Sequence, residues 1–544
     1  MGSGSRTPEA HPRSRVASWI GGDGYPLAGA LIFLTSFLLD WRSYVQKHEA
    51  IYLLGSRRVA DPDFLAADFT WSDVPPTTLL YDHLLAPLWL VTDDFGVAVV
   101  GRVAYWLLLA VSLAVLGRAM RVPAAGMAAG FAAWLLAEQT VLPCGQPLEG
   151  LQPKSLAHPL NFLALAFAIR GRAVGAGIAS GLATAFHIIV GGWFCLALFA
   201  GMAVNRSLFT LRQLASFLLA TAPFILPIVA VVGYFHSGGL SGGAQGSMDE
   251  IYVTFSQPHC CDPTFFMTPT RWLRSLAVFL ACPLLAFAWH ERRTARLVCA
   301  SSLVLILLFF LGMLASRLEA YGFLKLYPFQ LASALPLLFL FVFTASYVAG
   351  DAPARRLGKT LRALGLLTCL WILDDRDVLE ENVPKVVRRF QPASEEEQEE
   401  MRPRGRYGSG ISVTKQNLYD WIRENTPRES VFATPYLPEF WTYAERAQVA
   451  AFRHPPHDQR LIEWKERLDA LNRGRPFAGR GFEIKGELSR NQAGLRLGDL
   501  IEMRDRYGAT HYVTRRRRRD LPLQPVHDAS GYVVYELAPL RAPE

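Results

Sequence analysis

The sequence predicts an α-helical polytopic membrane protein that carries a small soluble α/β domain at its C-terminus. The 544 residues are 51% hydrophobic and only 19% charged, with a mean hydropathy of +0.19, which is unusually apolar for a soluble protein. Apolar runs of about 16 to 26 residues recur between Tyr25 and Leu373, and about 20 apolar residues span a bilayer as a helix. A charged linker and alternating helix and strand patterns follow the last run.

The length and hydropathy of the apolar runs predict about eleven membrane spans. We place them at residues 20–40, 96–117, 123–142, 155–170, 173–188, 189–205, 210–234, 271–289, 296–315, 328–348 and 360–375. The continuous run 173–205 is divided here into two short helices near His187. The whole helical domain extends over residues 20–375.

Arginine and lysine residues fall on alternate joints between these spans, which is the pattern of cytoplasmic loops. The joints carry Arg13 and Arg15, Arg118 and Arg121, Arg170 and Arg172, Arg206 and Arg212, Arg292, Arg293 and Arg296, and Arg355, Arg356 and Lys359. The N-terminal tail 1–19 is therefore predicted to be cytoplasmic. An odd number of spans places the first outer loop 41–95 and the C-terminal domain outside the cytoplasm. Without the break near His187, the C-terminal domain would lie inside.

The composition changes sharply after the last span. Residues 376–410 form a charged linker with little apolar surface to bury. From residue 411 to residue 544 helical patterns such as "TKQNLYDWIRENTP" and "QRLIEWKERLDALNR" alternate with short strand patterns such as "SVFATP" and "THYVT". This alternation predicts an α/β domain.

Several functional classes lack support in the sequence. The chain has no Walker A motif, no glycine-rich dinucleotide turn, no HExxH and no CxxC. The net charge of +8 comes largely from arginines on the predicted cytoplasmic joints, so it does not indicate nucleic acid binding. Of the seven cysteines, Cys144 could form a disulfide with Cys260 or Cys261 on the oxidising outer side.

Acidic residues are concentrated just beyond the first span. Glu49 and Asp68 are candidates for a general base and its partner, although solvated loop carboxylates would give the same pattern. Asp61 and Asp63 flank Pro62 and favour a turn or helix cap. Together with Asp68 they could recruit a divalent cation, but their spacing is too generic to predict a metal site.

Two further outer segments carry polar residues. The segment "GQPLEGLQPKSLAHPLNF" places Glu149 and Lys154 at the mouth of the fourth span, where they are candidate substrate contacts or ordinary interfacial residues, with Lys154 snorkelling to the surface. His187 lies between two apolar helices and is a third candidate contact, with a core histidine that bonds a neighbouring carbonyl as the alternative. In "SRLEAYGFLKLYPFQ", Arg317 and Lys325 accompany aromatic residues that include Tyr327. Two cations at a membrane interface can bind a phosphate group through charge-assisted hydrogen bonds.

These features together resemble the GT-C superfamily of integral-membrane glycosyltransferases, which use sugars linked to polyprenyl phosphate. "HEAIYLL" is similar to the acidic pair that opens the first outer loop in this family: Glu49 matches, and His48 stands where a second acid often stands. "DPDFLAADF" is similar to a bacterial variant of the loop in which an Asp precedes an aromatic residue, which makes Asp68 the second candidate. The "WWDYG" signature of oligosaccharyltransferases is missing.

The resemblance, which is to bacterial members of the family, implies transfer of a sugar from a polyprenyl-phosphate donor to an unknown glycan, lipid or protein acceptor at the outer face of a bacterial inner membrane. Glu49 or Asp68 would be the base for an inverting displacement, and Lys325 and Arg317 would bind the donor phosphate. Glu149, Lys154, His187 and Tyr327 would contact the substrates, with no metal and no cofactor beyond the lipid-linked donor assigned. The alternatives are a transporter or flippase for an anionic lipid, which would use the same charges without chemistry, and a non-catalytic envelope assembly protein.

Overall fold

The computed structural model describes residues 24–46, 48–72, 76–142, 146–236, 242–288, 292–349, 356–375, 387, 411–529 and 531–538. The predicted N-terminal tail 1–19, nearly all of the linker 376–410, and Cys144 with its predicted disulfide lie outside the described residues.

The described part of the first 375 residues is almost entirely helical. Its helices are α1 (Tyr25–Asp40), α2 (Glu49–Ala60), α3 (Leu79–Leu85), α4 (Asp94–Met120), α5 (Ala124–Leu136), α6 (Pro153–Ile169), α7 (Ala173–Phe186), α8 (Ile188–Val204), α9 (Leu211–His236), α10 (Gly242–Glu250), α11 (Pro258–Cys261), α12 (Pro263–Phe266), α13 (Pro269–Ala288), α14 (Arg292–Arg317), α15 (Tyr321–Leu324), α16 (Gln330–Ala349) and α17 (Arg356–Asp375). A π-helical turn, Ile251–Ser256, joins α10 to α11.

The chain is a multi-pass membrane protein. Among the described residues, five helices are long and apolar enough to cross a membrane: Asp94–Met120, Leu211–Val231, Pro269–Phe287, Arg293–Arg317 and Gln330–Ala349. Shorter apolar helices are α1, α5, α7 and α8. Each of the eleven predicted segments coincides with a helix, while the number that crosses the bilayer stays a prediction.

The predicted break in the apolar run 173–205 is observed at His187. This residue is extended, with φ −150° and ψ 102°, and its Nδ1 accepts a hydrogen bond from the backbone N–H of Val190 at 3.2 Å. It thereby caps the N-terminus of α8, where the first amides have no partner inside the helix. Helices α7 and α8 pack against each other as a hairpin.

Close helix packing in the core depends on small residues. On α5, Gly126 and Gly130 are four residues apart and face α16. A Cβ atom at Gly130 would lie 2.5 Å from the Cα of Val342, and one at Gly126 would lie 2.4 Å from the hydroxyl oxygen of Ser346. Small residues at this spacing allow two membrane helices to approach backbone to backbone. The residues of α16 are correspondingly buried along most of its length.

The C-terminal domain contains a five-stranded mixed sheet. Its elements are α18 (Val413–Asn425), β1 (Val431–Ala433), α19 (Phe440–Ala444), β2 (Ala447–Gln448), α20 (Arg460–Leu471), α21 (Ile484–Ala493), α22 (Leu497–Tyr507), β3 (His511–Thr514), β4 (Pro525–Ala529) and β5 (Tyr532–Glu536). The strand order is β2-β1-β3-β5-β4; β1 is parallel to β2 and β3, and β5 is antiparallel to β3 and β4. The fold is α/β, as the alternating sequence patterns predict.

The C-terminal domain packs directly on the first loop of the helical domain. Arg57 of α2 forms an ion pair with Glu445 at 2.9 Å. The hydroxyl of Thr442 donates to the carbonyl of Ala50 at 2.8 Å, and Arg460 donates to the carbonyl of Phe69 at 3.2 Å. The domain and the acidic loop therefore lie at the same end of the helices.

Candidate active site at the domain junction

Glu49 is completely buried in an ion pair with Arg102 of α4. One carboxylate oxygen accepts from Arg102 Nε and from the backbone N–H of Leu151, both at 2.6 Å. The other accepts from a terminal guanidinium nitrogen of Arg102 and from the N–H of Gln46 at 2.7 Å. A carboxylate has about four lone-pair positions, and here all four are occupied. Glu49 thus fastens the first loop to α4 and to the segment before α6.

Asp68 is equally enclosed, but by the C-terminal domain. One oxygen accepts from the backbone N–H groups of Thr70 at 2.8 Å and Trp71 at 3.1 Å. The second accepts from the indole N–H of Trp441 at 2.7 Å and the backbone N–H of Gln448 at 2.9 Å. Burial raises the pKa of Asp68, and these four donors offset part of that rise. The geometry is that of an anchor between two domains.

The other acidic residues of the loop do not gather around Asp68. Asp61 accepts from the backbone N–H of Asp63 at 3.1 Å, which is the turn that the sequence predicts, and forms an ion pair with Arg428 at 3.4 Å. Asp63 is exposed. Among the described residues, no group of three or more His, Cys, Asp or Glu side chains could hold a metal ion.

A carboxylate that the sequence patterns did not single out ends the first span. Asp40 accepts from the hydroxyl of Tyr105, from the indole N–H of Trp106 at 3.1 Å, and from the side-chain amide of Gln46 and the backbone N–H of Gly150, both at 3.2 Å. It joins α1, α4 and the segment before α6 in the same manner as Glu49. Its lone pairs are also fully used.

An accessible polar pair lies beside these anchors. His48, the residue before α2, bonds through Nδ1 to a carboxylate oxygen of Glu149 at 2.7 Å, and their side chains are 38% and 37% exposed. Burial raises the pKa of Glu149, but the hydrogen bond and charge of His48 and the charges of Lys154 and Arg453 outweigh it, so the pKa lies below its usual value. This pair combines solvent access with nearby cations.

The C-terminal domain contributes a loop of histidines and arginine to the same region. His454 stacks on Trp71, with ring centroids 4.9 Å apart, and meets Tyr52 edge-on at 6.3 Å. His457 lies 5.9 Å from His454, centroid to centroid, and 5.5 Å from Tyr252. The motif "RHPPH" (453–457) therefore packs between the first loop and the π-helical turn.

Lys325 and Tyr327 lie on the far side of this histidine loop. The ammonium of Lys325 forms an ion pair with Asp249 at 3.0 Å and lies 5.4 Å from the ring centroid of Tyr252. The hydroxyls of Tyr252 and Tyr327 are 2.6 Å apart. Tyr252 also interacts electrostatically with Tyr52, which in turn interacts with Glu149. A chain of polar neighbours thus connects Lys325 to the His48–Glu149 pair.

A polar row on α6 extends from the pair toward the helices. Lys154 and the buried residues His158 and Asn161 follow at helical spacing on one face of α6, and Lys154 interacts electrostatically with His158 and with His187. The side-chain amide of Asn161 donates to the carbonyl of Val190 at 3.4 Å. This row connects the predicted contacts Lys154 and His187.

We refer to His48, Tyr52, Glu149, Lys154, Arg453, His457, Tyr252, Lys325 and Tyr327 together as the junction site. It includes the predicted contacts Glu149, Lys154, Lys325 and Tyr327, with His187 next to Lys154. Arg317 is separate: it is the exposed last residue of α14, and within the described part of the chain it forms no hydrogen bond or ion pair with a residue of the junction site. Sequence patterns placed His48 only where a second acid often stands, and they did not single out Arg453 or His457; the local signal for these two is the density of His and Arg in "RHPPH".

Similarity to known proteins is limited in extent. Residues 414–471 match the family model described as Domain of unknown function (DUF6798), and no curated protein matches the sequence. Solved structures similar to the chain include the archaeal oligosaccharyltransferase AglB from Archaeoglobus fulgidus in complex with an inhibitory peptide and a dolichol-phosphate, with 11% identity, a TM-score of 0.49, and coverage of 91% of this chain and 70% of that chain.

Two further solved structures are also similar to the chain. The arabinofuranosyltransferase AftD from Mycobacteria has 14% identity and a TM-score of 0.48, over 94% of this chain and 40% of that chain. ArnT from Cupriavidus metallidurans, bound to undecaprenyl phosphate, has 13% identity and a TM-score of 0.37, over 96% of this chain and 100% of that chain.

Proposed function

We propose that the chain is a membrane glycosyltransferase that moves a sugar from a polyprenyl-phosphate-linked donor to an acceptor on the extracytoplasmic face. The observation that carries this proposal is the half-exposed His48–Glu149 pair, which lies beside Lys154 and Arg453 at the end of the membrane helices. A base and cations at the end of the membrane helices suit a donor whose lipid tail stays in the bilayer. Its sugar phosphate would protrude into the junction site.

The distribution of arginine supports the orientation that we propose for the chain. The joints with Arg118, Arg121, Arg170, Arg172 and Arg293 converge at one end of the helices, around one cavity. The junction site is at the end that carries the C-terminal domain. Because arginine-rich loops are retained in the cytoplasm, we place the N-terminus inside and the junction site outside.

His48 is the base in the proposed reaction, and Glu149 orients it. Nδ1 of His48 faces Glu149, so in the neutral form of the ring, which is the form that acts as a base, the proton is held on Nδ1 and Nε2 can accept another. Nε2 removes the proton of the acceptor hydroxyl as its oxygen bonds to the anomeric carbon. The bond from that carbon to the phosphate oxygen breaks, and the electron pair leaves with polyprenyl phosphate. One base is sufficient for this inverting displacement.

Glu49 and Asp68, the bases expected from the sequence, have a different role in this proposal. Their lone pairs are occupied by four N–H donors each. Taking up a proton would break hydrogen bonds inside a buried site, which is costly. We therefore assign both residues to holding the first loop in place, with Glu49 fixing the backbone of Leu151 next to the segment of Glu149.

The donor phosphate is proposed to bind near Lys154 and Arg453, since these cations are close enough to lower the pKa of Glu149. Lys325 is the second candidate, on the other wall of the site. Arg317 ends α14 after a row of three exposed leucines on that helix, namely Leu307, Leu311 and Leu314. That row suits contact with lipid, and Arg317 at its end suits a first contact with the lipid phosphate. Such charge-assisted contacts stabilise the leaving group as its charge develops.

The class of reaction can be tested with the purified chain in lipid vesicles. The chain would be incubated with a panel of radiolabelled pentose and hexose donors on polyprenyl phosphate, together with a membrane extract as the source of acceptors. A glycosyltransferase releases polyprenyl phosphate as label appears in an acceptor. A chain that moves the intact labelled donor between leaflets without releasing polyprenyl phosphate would be a flippase, and the proposal would be wrong.

A further inference from the structure

Five arginines surround one cavity at the end of the helices opposite the junction site. The cavity has a volume of about 520 Å³ and is lined by Arg118, Arg121, Arg170, Arg172 and Arg293 together with Ala119 and Ile169. None of the described residues that line it is acidic. We call it the arginine cavity.

The positions of these arginines on their helices are only partly explained by the helix dipole. Arg118 and Arg121 lie at the C-terminus of α4 and Arg170 follows the C-terminus of α6, where a cation is stabilised. Arg172 is the residue before α7, and Arg293 is the second residue of α14. At a helix N-terminus a cation is disfavoured. Two of the five charges therefore need another source of stabilisation.

Arg293 is held in the cavity wall by several contacts. Its guanidinium lies 5.2 Å from the ring centroid of Phe209 and donates to the carbonyl of Leu208 at 3.4 Å. Gly171 permits this placement, because its φ is +73° and a Cβ atom there would lie 2.7 Å from an Arg293 nitrogen. A fixed guanidinium loses less conformational entropy when it binds an anion.

The arginine cavity lies beside a surface suited to lipid. Val174 and Ile178 on the first turns of α7 are 53% and 41% exposed, and their spacing of four residues places them on one face of the helix. Arg172 immediately precedes this face. A phosphate in the cavity would therefore lie where the apolar surface begins, which is the level of lipid headgroups.

We propose that the arginine cavity binds the phosphate of an anionic phospholipid. The shared chemistry is a phosphate group met by several guanidinium groups, which offer paired N–H donors to phosphate oxygens. A soluble pyrophosphate could satisfy the same charges, although it would not use the adjacent apolar face. The site is separate from the junction site and does not depend on the proposed transfer reaction.

The test is the thermal unfolding midpoint of the full chain in detergent, followed by tryptophan fluorescence. The chain is titrated with dihexanoyl phosphatidylglycerol, with dihexanoyl phosphatidylcholine, and with sodium pyrophosphate at constant ionic strength. The cavity variant is Arg172→Gln/Arg293→Gln. The matched control is Arg206→Gln/Arg212→Gln. It removes two exposed arginines near the connection between α8 and α9, and neither of them lines the cavity.

A ligand that binds only the folded state raises the free energy of unfolding, and with it the unfolding midpoint, by an amount that grows with the logarithm of one plus the ratio of the ligand concentration to Kd. Phosphatidylglycerol should raise the midpoint of the wild type and of the control. The cavity variant should bind it with an apparent dissociation constant about tenfold higher or more, so that its midpoint rises much less at the same lipid concentration. Phosphatidylcholine should have no such effect. An equal rise with pyrophosphate assigns the site to a soluble anion instead of a lipid. Equal responses in the cavity and control variants overturn the proposal.

A second variant is informative if the cavity variant does not fold. Ala119→Glu places a carboxylate among the same arginines. It should raise the unfolding midpoint without lipid and abolish the response to phosphatidylglycerol, because the cavity then holds its own anion. A lipid response as large as that of the wild type in Ala119→Glu would contradict the proposal.

Discussion

Trp441 of the C-terminal domain donates its indole N–H to the carboxylate of Asp68 in the first loop at 2.7 Å, across 373 positions of sequence. The same carboxylate oxygen accepts the backbone N–H of Gln448, the second residue of β2. Asp68 is thus a buried link between the sheet of one domain and the loop of the other. The junction site depends on this link, since His457 and Arg453 come from the domain that it holds.

Asp68→Asn should destabilise the junction of the two domains. The side-chain amide of Asn would place its NH₂ group against N–H groups that donate to the carboxylate of Asp68 in the wild type. A buried donor without an acceptor costs about 1–3 kcal/mol. We expect a lower unfolding midpoint and faster proteolysis in the linker. Asp63→Asn, which changes an exposed carboxylate of the same loop, is the control. Equal protease resistance of Asp68→Asn and wild type would refute the anchoring role.

Glu49→Gln should also act on stability, through Arg102. The variant leaves a completely buried guanidinium without its counter-charge, and breaking a buried pair in this way costs about 3–5 kcal/mol. A second change, Arg102→Met, removes the unpaired charge. The double variant should therefore be more stable than Glu49→Gln alone, as thermal unfolding in detergent can determine; a double variant that is less stable would contradict this reading.

The pair Lys325–Asp249 gives a matched test of donor binding. If Lys325 contacts the donor phosphate, Lys325→Gln should raise the KM for the donor. Asp249→Asn removes the carboxylate that holds the ammonium at 3.0 Å and should lower that KM, because the cation is then available to phosphate. If Lys325 only supports the fold, both variants lower the unfolding midpoint and neither changes the KM.

His454 should make the stability of the chain depend on pH. Burial, followed by the charges of His457 and Arg453, lowers the pKa of His454 to about 3, below its usual value of about 6.5. Between these values the unfolded chain binds a proton that the folded chain does not, so the free energy of unfolding decreases as the pH falls. His454→Phe retains an aromatic ring against Trp71 and should reduce the fall in unfolding midpoint between pH 7.5 and pH 5. An unchanged pH dependence would exclude this contribution.

The sequence predicts the helices well because their signal is local. The apolar runs and the break at His187 are properties of consecutive residues, and each appears in the structure where it was expected. The partners of the acidic residues are not local: Arg102 lies 53 positions after Glu49, and Trp441 lies 373 positions after Asp68. An acidic residue in a loop therefore has the same sequence signature whether it anchors two domains or faces a substrate.

The sequence did not identify the candidate base His48 either, because its partner is also distant along the chain. His48 is next to Glu49 in "HEAIYLL", yet α2 begins at Glu49 and turns the two side chains to different partners, Glu149 for His48 and Arg102 for Glu49. The role of "RHPPH" could not be read from sequence either, because it requires the C-terminal domain to be docked on the first loop.

The most direct test of the central claim is the turnover of sugar transfer by His48→Asn, Glu149→Gln and Glu49→Gln, normalised to the folded fraction of each variant. A general base contributes about a hundredfold to ten-thousandfold in rate. We predict that His48→Asn loses at least about a hundredfold in kcat with little change in the KM for the donor. Glu149→Gln should lose less in kcat, and the kcat of folded Glu49→Gln should stay within about tenfold of the wild-type value. Wild-type turnover in His48→Asn, with a loss of a hundredfold or more in a fully folded Glu49→Gln, would contradict the account and return the base to Glu49.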